Sequence, residues 1–125
     1  MILVDTDVLI EIFDKNSEKG SDALRQIEKT GEEILITSLN LHEILYGLSK
    51  YARIDKIEKI LLLDVVEFKK EDAVLSAKIE HKLEKKGRMI GRLDSMVAAV
   101  AVNRKLTFFT FNKKDFEKIP ELELF

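Results

Sequence analysis

Five oxygen-bearing side chains stand out by type and position in this 125-residue sequence: Asp5, Glu43, Asp94, Asn112 and Asp115. Asp5 directly ends the apolar run Ile2-Leu3-Val4. Glu43 falls shortly after a second run, Ile34-Leu35-Ile36-Thr37, and Asn112 and Asp115 follow a third, Thr107-Phe108-Phe109-Thr110. Asp94 stands just before the small and apolar stretch Met96 to Ala101. Carboxylates brought together repel one another, by about 4 kcal/mol for a pair about 4 Å apart at an effective dielectric of about 20. A hard divalent cation removes that cost, and an oxygen-only ligand set suits Mg²⁺ or Mn²⁺. Such an ion lowers the pKa of water and offsets charge on a phosphate, so the expected chemistry is metal-assisted phosphodiester hydrolysis.

Each acid also has a plainer reading among the chain's 23 acidic residues. Asp94 could complement a helix dipole, Glu43 could be a solvated helix residue, Asp7 a cap and Asp115 a turn residue. Asp5 carries the strongest case, because an acid ending a buried strand is uncommon.

Composition narrows the alternatives. The chain has no Cys, which excludes disulfides, thiol catalysis and thiolate metal sites; His42 and His81 are too few for a His-rich zinc site. The net charge of −2 means that any nucleic-acid binding must rest on a local basic patch or on bound cations. Charged residues reach 35%, against about 25% in an average protein, and Gln26 is the only Gln, a composition that resembles heat-adapted proteins. No apolar run approaches the roughly 20 residues that span a bilayer. The start lacks a basic signal-peptide region. A cytoplasmic protein without membrane contact is therefore expected.

The elements that must position these acids alternate. Strands are expected at Ile2–Val4, Ile34–Thr37, Val65–Phe68 and Thr107–Thr110, with an edge strand at Glu123–Phe125. Helices are expected from Thr6 or Asp7 as cap through Phe13, from Ser17 to Thr30 with Gly31 as stop, after Ser38 as cap, from Ile54 to Leu62, from Lys70 to Lys86, and from Asp94 to Arg104. A short turn is expected near Asp115-Phe116. Alternating strands and helices predict one α/β domain over residues 1–125, a three-layer α/β/α sandwich around a mostly parallel central sheet of about four to five strands. Sites in such sheets lie beyond the carboxyl ends of the strands, where the acids fall.

Four segments resemble the PIN-domain family, specifically its VapC-type toxin ribonucleases. They are Ile2-Leu3-Val4-Asp5-Thr6-Asp7-Val8-Leu9-Ile10, Ser38 to Leu48 around His42-Glu43-Ile44, Ile90 to Ala99 around Arg92-Leu93-Asp94-Ser95, and Phe109 to Pro120 around Asn112-Lys113-Lys114-Asp115-Phe116. The resemblance implies a PIN-like sheet with Asp5 on a central strand. It makes Asp5, Glu43 and Asp94 the core acids, with Asp5 and Asp94 holding Mg²⁺ or Mn²⁺ and Glu43 orienting the attacking water or serving a second ion. Thr6 and Thr110 would support the site through their hydroxyls, and Asp7 would hold the loop. Many PIN domains carry a fourth acid just after the last core strand; here that position is Asn112, and Asp115 is taken as the fourth acid. The activity implied is endoribonuclease cleavage of RNA, transfer RNA among the candidate substrates, by the toxin of a type II toxin-antitoxin pair. A homodimer and a cognate antitoxin are the implied partners.

Arg92 beside the acids is the expected RNA phosphate contact, with Lys85, Lys86, Arg88, Lys113 and Lys114 flanking. Leu41, Tyr46, Tyr51, Ile54, Ile57 and Leu61 could line a partner groove or simply fill the core. Three competing readings remain: a signalling receiver domain, which lacks its phospho-accepting Asp after the third strand; a phosphatase built on Asp5-Thr6-Asp7; and an inactive PIN-like module that binds RNA or protein.

Overall fold

The computed structural model describes residues 1–51 and 53–125. Strand β1 (Ile2–Val4) lies between β2 (Ile34–Thr37) and β4 (Thr107–Phe109), and β3 (Asp64–Val66) pairs with the far side of β2. All pairs are parallel and the order is β3-β2-β1-β4. Parallel neighbours need long crossovers, and the helices that make them cover both faces. Side chains therefore alternate between two cores: Ile2, Val4, Ile36 and Phe109 join one cluster, Leu3, Leu35 and Phe108 the other. Central β1 is wholly buried, as its uninterrupted apolar run requires. The expected terminal edge strand is a single parallel bridge, Leu124 to Phe108, beside β4. A receiver-type sheet would run 2-1-3-4-5, so the order seen here removes that reading.

Several expected boundaries move for identifiable reasons. Asp5, not Thr6 or Asp7, caps α1 (Thr6–Leu9), its Oδ1 accepting from Thr6 N at 2.9 Å. Helix α1 runs into a π-helical turn, Ile10–Asp14, in which Lys15 N donates to Ile10 O. Ser17 caps α2 (Glu18–Thr30) by accepting from Gly20 N, and Gly31 stops it at φ 72°. Thr37, not Ser38, caps α3 (Ser38–Lys50): the last strand residue is still extended and its Oγ1 accepts from Asn40 N at 3.0 Å.

Helix α4 spans Ile54–Leu61 and α5 Lys70–Lys85. Strand β3 begins at Asp64 and stops at Val66, because its partners end at Thr37. Helix α6 (Arg92–Asn103) opens two residues before Asp94, which therefore sits inside the first turn rather than at its start. A short α7 (Lys113–Phe116) stands where the turn was expected. No helix among the described residues is long and apolar enough to cross a membrane.

Candidate active site

Asp5, Thr37 and Thr110 occupy the carboxyl ends of β1, β2 and β4, so all three lie on one rim. Asp5 is the centre of that rim and is almost fully buried. Its Oδ2 accepts from Thr110 Oγ1 at 2.8 Å, and its backbone N–H donates to Phe109 O at 2.9 Å. Its carboxyl is pushed up to about 7: burial raises it most, the negative charges of Asp7 and Asp94 add to the rise, and the hydrogen bonds from Thr110 and Thr6 oppose it.

Glu43 reaches this centre through Thr6. The Thr6 hydroxyl donates to Glu43 Oε1 at 2.9 Å and accepts from Asn40 Nδ2, also at 2.9 Å. The spacing that joins them is helical: Asn40 and Glu43 are three residues apart on α3 and so share a face. Asn40 is buried and also donates to Asp5 Oδ1 at 3.3 Å. Sequence reasoning missed Asn40. The available signal was a polar residue between Leu39 and Leu41, three positions after Thr37 and three before Glu43.

Asp94 projects from the first turn of α6. Burial raises its carboxyl, and the charges of Glu43, Asp115 and Asp7 raise it again, which places it among the other acids. Asp115 is more exposed and held below the usual carboxylate range, because Asn112 Nδ2 donates to its Oδ2 at 3.0 Å and Lys118 Nζ lies 3.2 Å from its Oδ1. The Asn112 amide thus serves Asp115. Asp7 Oδ2 accepts from Phe111 N at 3.2 Å and tethers the loop after β4, while its Oδ1 is buried with no hydrogen-bond partner. Burial raises the Asp7 carboxyl as well.

The structure does not bring Arg92 into this group. Its Nε donates to both oxygens of Glu80 on α5, at 3.0 and 3.3 Å, and the side chain is 80% exposed. Lys85, Lys86, Arg88, Lys113 and Lys114 are exposed. A cleft of about 350 Å³ runs from Glu43 between the π-helical turn and α3, with Ile10, Ile44, Leu48 and Tyr51 along it. A second cavity of about 240 Å³, between α5 and the C-terminal segment, contains none of the rim acids and is not the site.

The donor set fits a hard divalent cation. It is all oxygen, it holds one buried carboxylate oxygen without a partner, and three of its carboxyls are raised, first by burial and, for Asp5 and Asp94, also by neighbouring acids. Among the described residues no three acids or histidines close on a single point. An ion held here would complete its shell with waters.

Comparison with known proteins agrees with this geometry. The model of the PIN domain matches residues 2–122. The chain is 32% identical over 128 residues to ribonuclease VapC1 of Methanocaldococcus jannaschii, covering 98% of this chain and 84% of that protein. It is 30% identical over 94 residues to the tRNA(fMet)-specific endonuclease VapC of Salmonella typhimurium, covering 71% of each. The crystal structure of VapBC2 from Rickettsia felis bound to a promoter DNA fragment superposes with a TM-score of 0.85 at 28% identity, over 100% of this chain and 98% of that one. With its acids gathered on the rim of a four-stranded parallel sheet, the chain belongs to the PIN-domain family, within the group of VapC-type ribonucleases.

Proposed function

We propose that this protein is an endoribonuclease toxin that hydrolyses RNA with Mg²⁺ or Mn²⁺ held at the rim, and that a cognate antitoxin silences it. The observation that carries this reading is the linked rim: buried Asp5 is bonded to Thr110 and, through Asn40 and Thr6, to Glu43, and the charges of Asp7 and Asp94 stand close enough to raise its carboxyl. A complete set of mutually repelling acids is costly unless it holds a cation, which speaks against a retired, purely binding module.

Asp5 and Asp94 are the residues proposed to hold the ion. The ion supplies Lewis-acid stabilisation of phosphate charge and an acidified water. Glu43, with Oε1 fixed by Thr6, is set to orient the attacking water and take up its proton. Thr110 steadies Asp5, and Asn112 steadies Asp115 as the fourth acid. The exposed Lys85, Lys86, Arg88, Lys113 and Lys114 are proposed to bind phosphates flanking the scissile bond, and Arg92 to join them only by leaving Glu80. Because water is the nucleophile, products carry no 2′,3′-cyclic phosphate. Incubation with total RNA including transfer RNA, followed by end analysis, tests this; cyclic phosphate ends would refute it.

The cleft that begins at Glu43 supports the partner reading. An extended or helical segment laid along Ile10, Ile44, Leu48 and Tyr51 would end at the acids and block substrate. Of the residues first considered for that groove, Tyr46, Tyr51, Ile54 and Leu61 are exposed, whereas Leu41 and Ile57 pack against the core. Exposed Leu61, Leu62 and Val65 along the β3 edge offer apolar area for a homodimer. Light scattering at micromolar protein decides it: a monomer would refute the dimer.

A further inference from the structure

The Asn40 side chain has a single consistent hydrogen-bond assignment. Thr37 Oγ1 accepts from Asn40 N at 3.0 Å and donates to Asn40 Oδ1 at 2.6 Å. That fixes the carboxamide with Nδ2 toward the acids, one N–H to Thr6 Oγ1 and the other to Asp5 Oδ1. The reverse orientation would set the amide oxygen against a carboxylate.

The consequence lies at Asp5. A carboxylate oxygen has two lone pairs. On Oδ1 one takes the Thr6 N–H and the other takes Asn40 Nδ2. On Oδ2 one takes the Thr110 hydroxyl and one is left over. We propose that Asn40 is a positioning residue that limits Asp5 to one cation-facing oxygen, Oδ2, and so favours Mg²⁺ or Mn²⁺ over Ca²⁺. Mg²⁺ demands near-octahedral geometry with few carboxylate oxygens, whereas Ca²⁺ takes six to eight oxygens and readily uses both oxygens of one carboxylate. Asn40 carries no charge and lies behind Asp5 and Thr6, so it acts through them. The inference rests on the reading of the rim as a cation site.

Titration of purified protein with Mn²⁺, followed by spin resonance and by competition with Ca²⁺, tests it without any activity measurement. The variants are Asn40→Ala and Asn40→Thr, each checked for fold by circular dichroism. Wild type is expected to prefer Mn²⁺, and Asn40→Ala to narrow that preference by about tenfold or more, as loss of a ligand's supporting hydrogen bond commonly does. Asn40→Thr keeps a hydroxyl for Thr37 but loses the amide donor to Asp5; it is expected to show the same narrowing and carries the test if the alanine variant does not fold. Folded Asn40 variants with an unchanged Mn²⁺-to-Ca²⁺ ratio would overturn the inference alone. A wild-type protein that binds neither ion would overturn the cation reading itself, a result visible before any variant is made.

Discussion

The Thr110 hydroxyl donates to Asp5 Oδ2 at 2.8 Å across a sequence separation of 105 residues. It joins the ends of β1 and β4 and is one of the few contacts that hold the Asp5 carboxyl down against its burial. Removing it with Thr110→Val should raise the Asp5 carboxyl further. Cation binding requires the ionised carboxylate, so the pH midpoint for Mn²⁺ binding should move up, and affinity near neutrality should fall about tenfold. An unmoved midpoint in calorimetric titrations would refute this.

Without metal, the rim makes stability fall with rising pH. Asp5 has its carboxyl raised from 3.8 to about 7 on folding, so the native state binds a proton that the unfolded chain has already released. Its full protonated-state stability is present below about pH 4 and declines as pH rises to about 7. The loss from this group is on the order of 4 kcal/mol, and Asp7 and Asp94 contribute in the same direction. Thermal melts in EDTA should show this decline, and Asp5→Asn should flatten it. Added Mg²⁺ or Mn²⁺ should raise Tm more at pH 8 than at pH 5.

Stability away from the rim depends on Asp72. It is wholly buried at the start of α5 and accepts from Arg104 Nη1 at 2.7 Å, Asn103 Nδ2 at 2.9 Å and Lys69 N at 2.8 Å. Burial opposes its ionisation, yet these donors hold its carboxyl below the usual range. Asp72→Ala leaves a half-buried guanidinium without its partner and should cost about 3 kcal/mol in denaturant unfolding. Cation affinity of the folded fraction should be unchanged.

Gly20 is required for a different reason. Helix α2 crosses the π-helical turn so closely that a methyl at residue 20 would lie 2.8 Å from Ile12 N and closer still to the Glu11 carbonyl. Gly20→Ala should destabilise the chain by about 1–3 kcal/mol despite the better helix propensity of Ala. Unchanged stability in the same unfolding experiment would mean that the contact yields easily.

The sequence shows the fold class clearly, and it shows which acids follow the strands. Uninterrupted apolar runs mark buried parallel strands, and Asp5 directly after Ile2-Leu3-Val4 points to the rim. Cap identities are less legible, because Thr37 and Ser38, or Asp5 and Thr6, differ by one residue and only backbone geometry chooses between them. The π-helical turn has no local signature; it follows from the packing of α2 on Glu11. Asn40 was hidden because its partners lie at sequence positions 5, 6 and 37. Arg92 was plausible by its neighbours in the chain, but the first turn of α6 sends its guanidinium toward Glu80.

Whether RNA cleavage depends on a cation held by Asp5 and Asp94 is decided by end-labelled RNA under single-turnover conditions. Wild type, Asp5→Asn and Asp94→Asn are compared with Mg²⁺, with Mn²⁺ and with EDTA. Cleavage should need the added metal and drop by about 100-fold or more in each variant, since even supporting partners of a ligand cost about 10–100-fold. Cleavage that persists in EDTA, or at wild-type rate in either variant, would contradict that dependence.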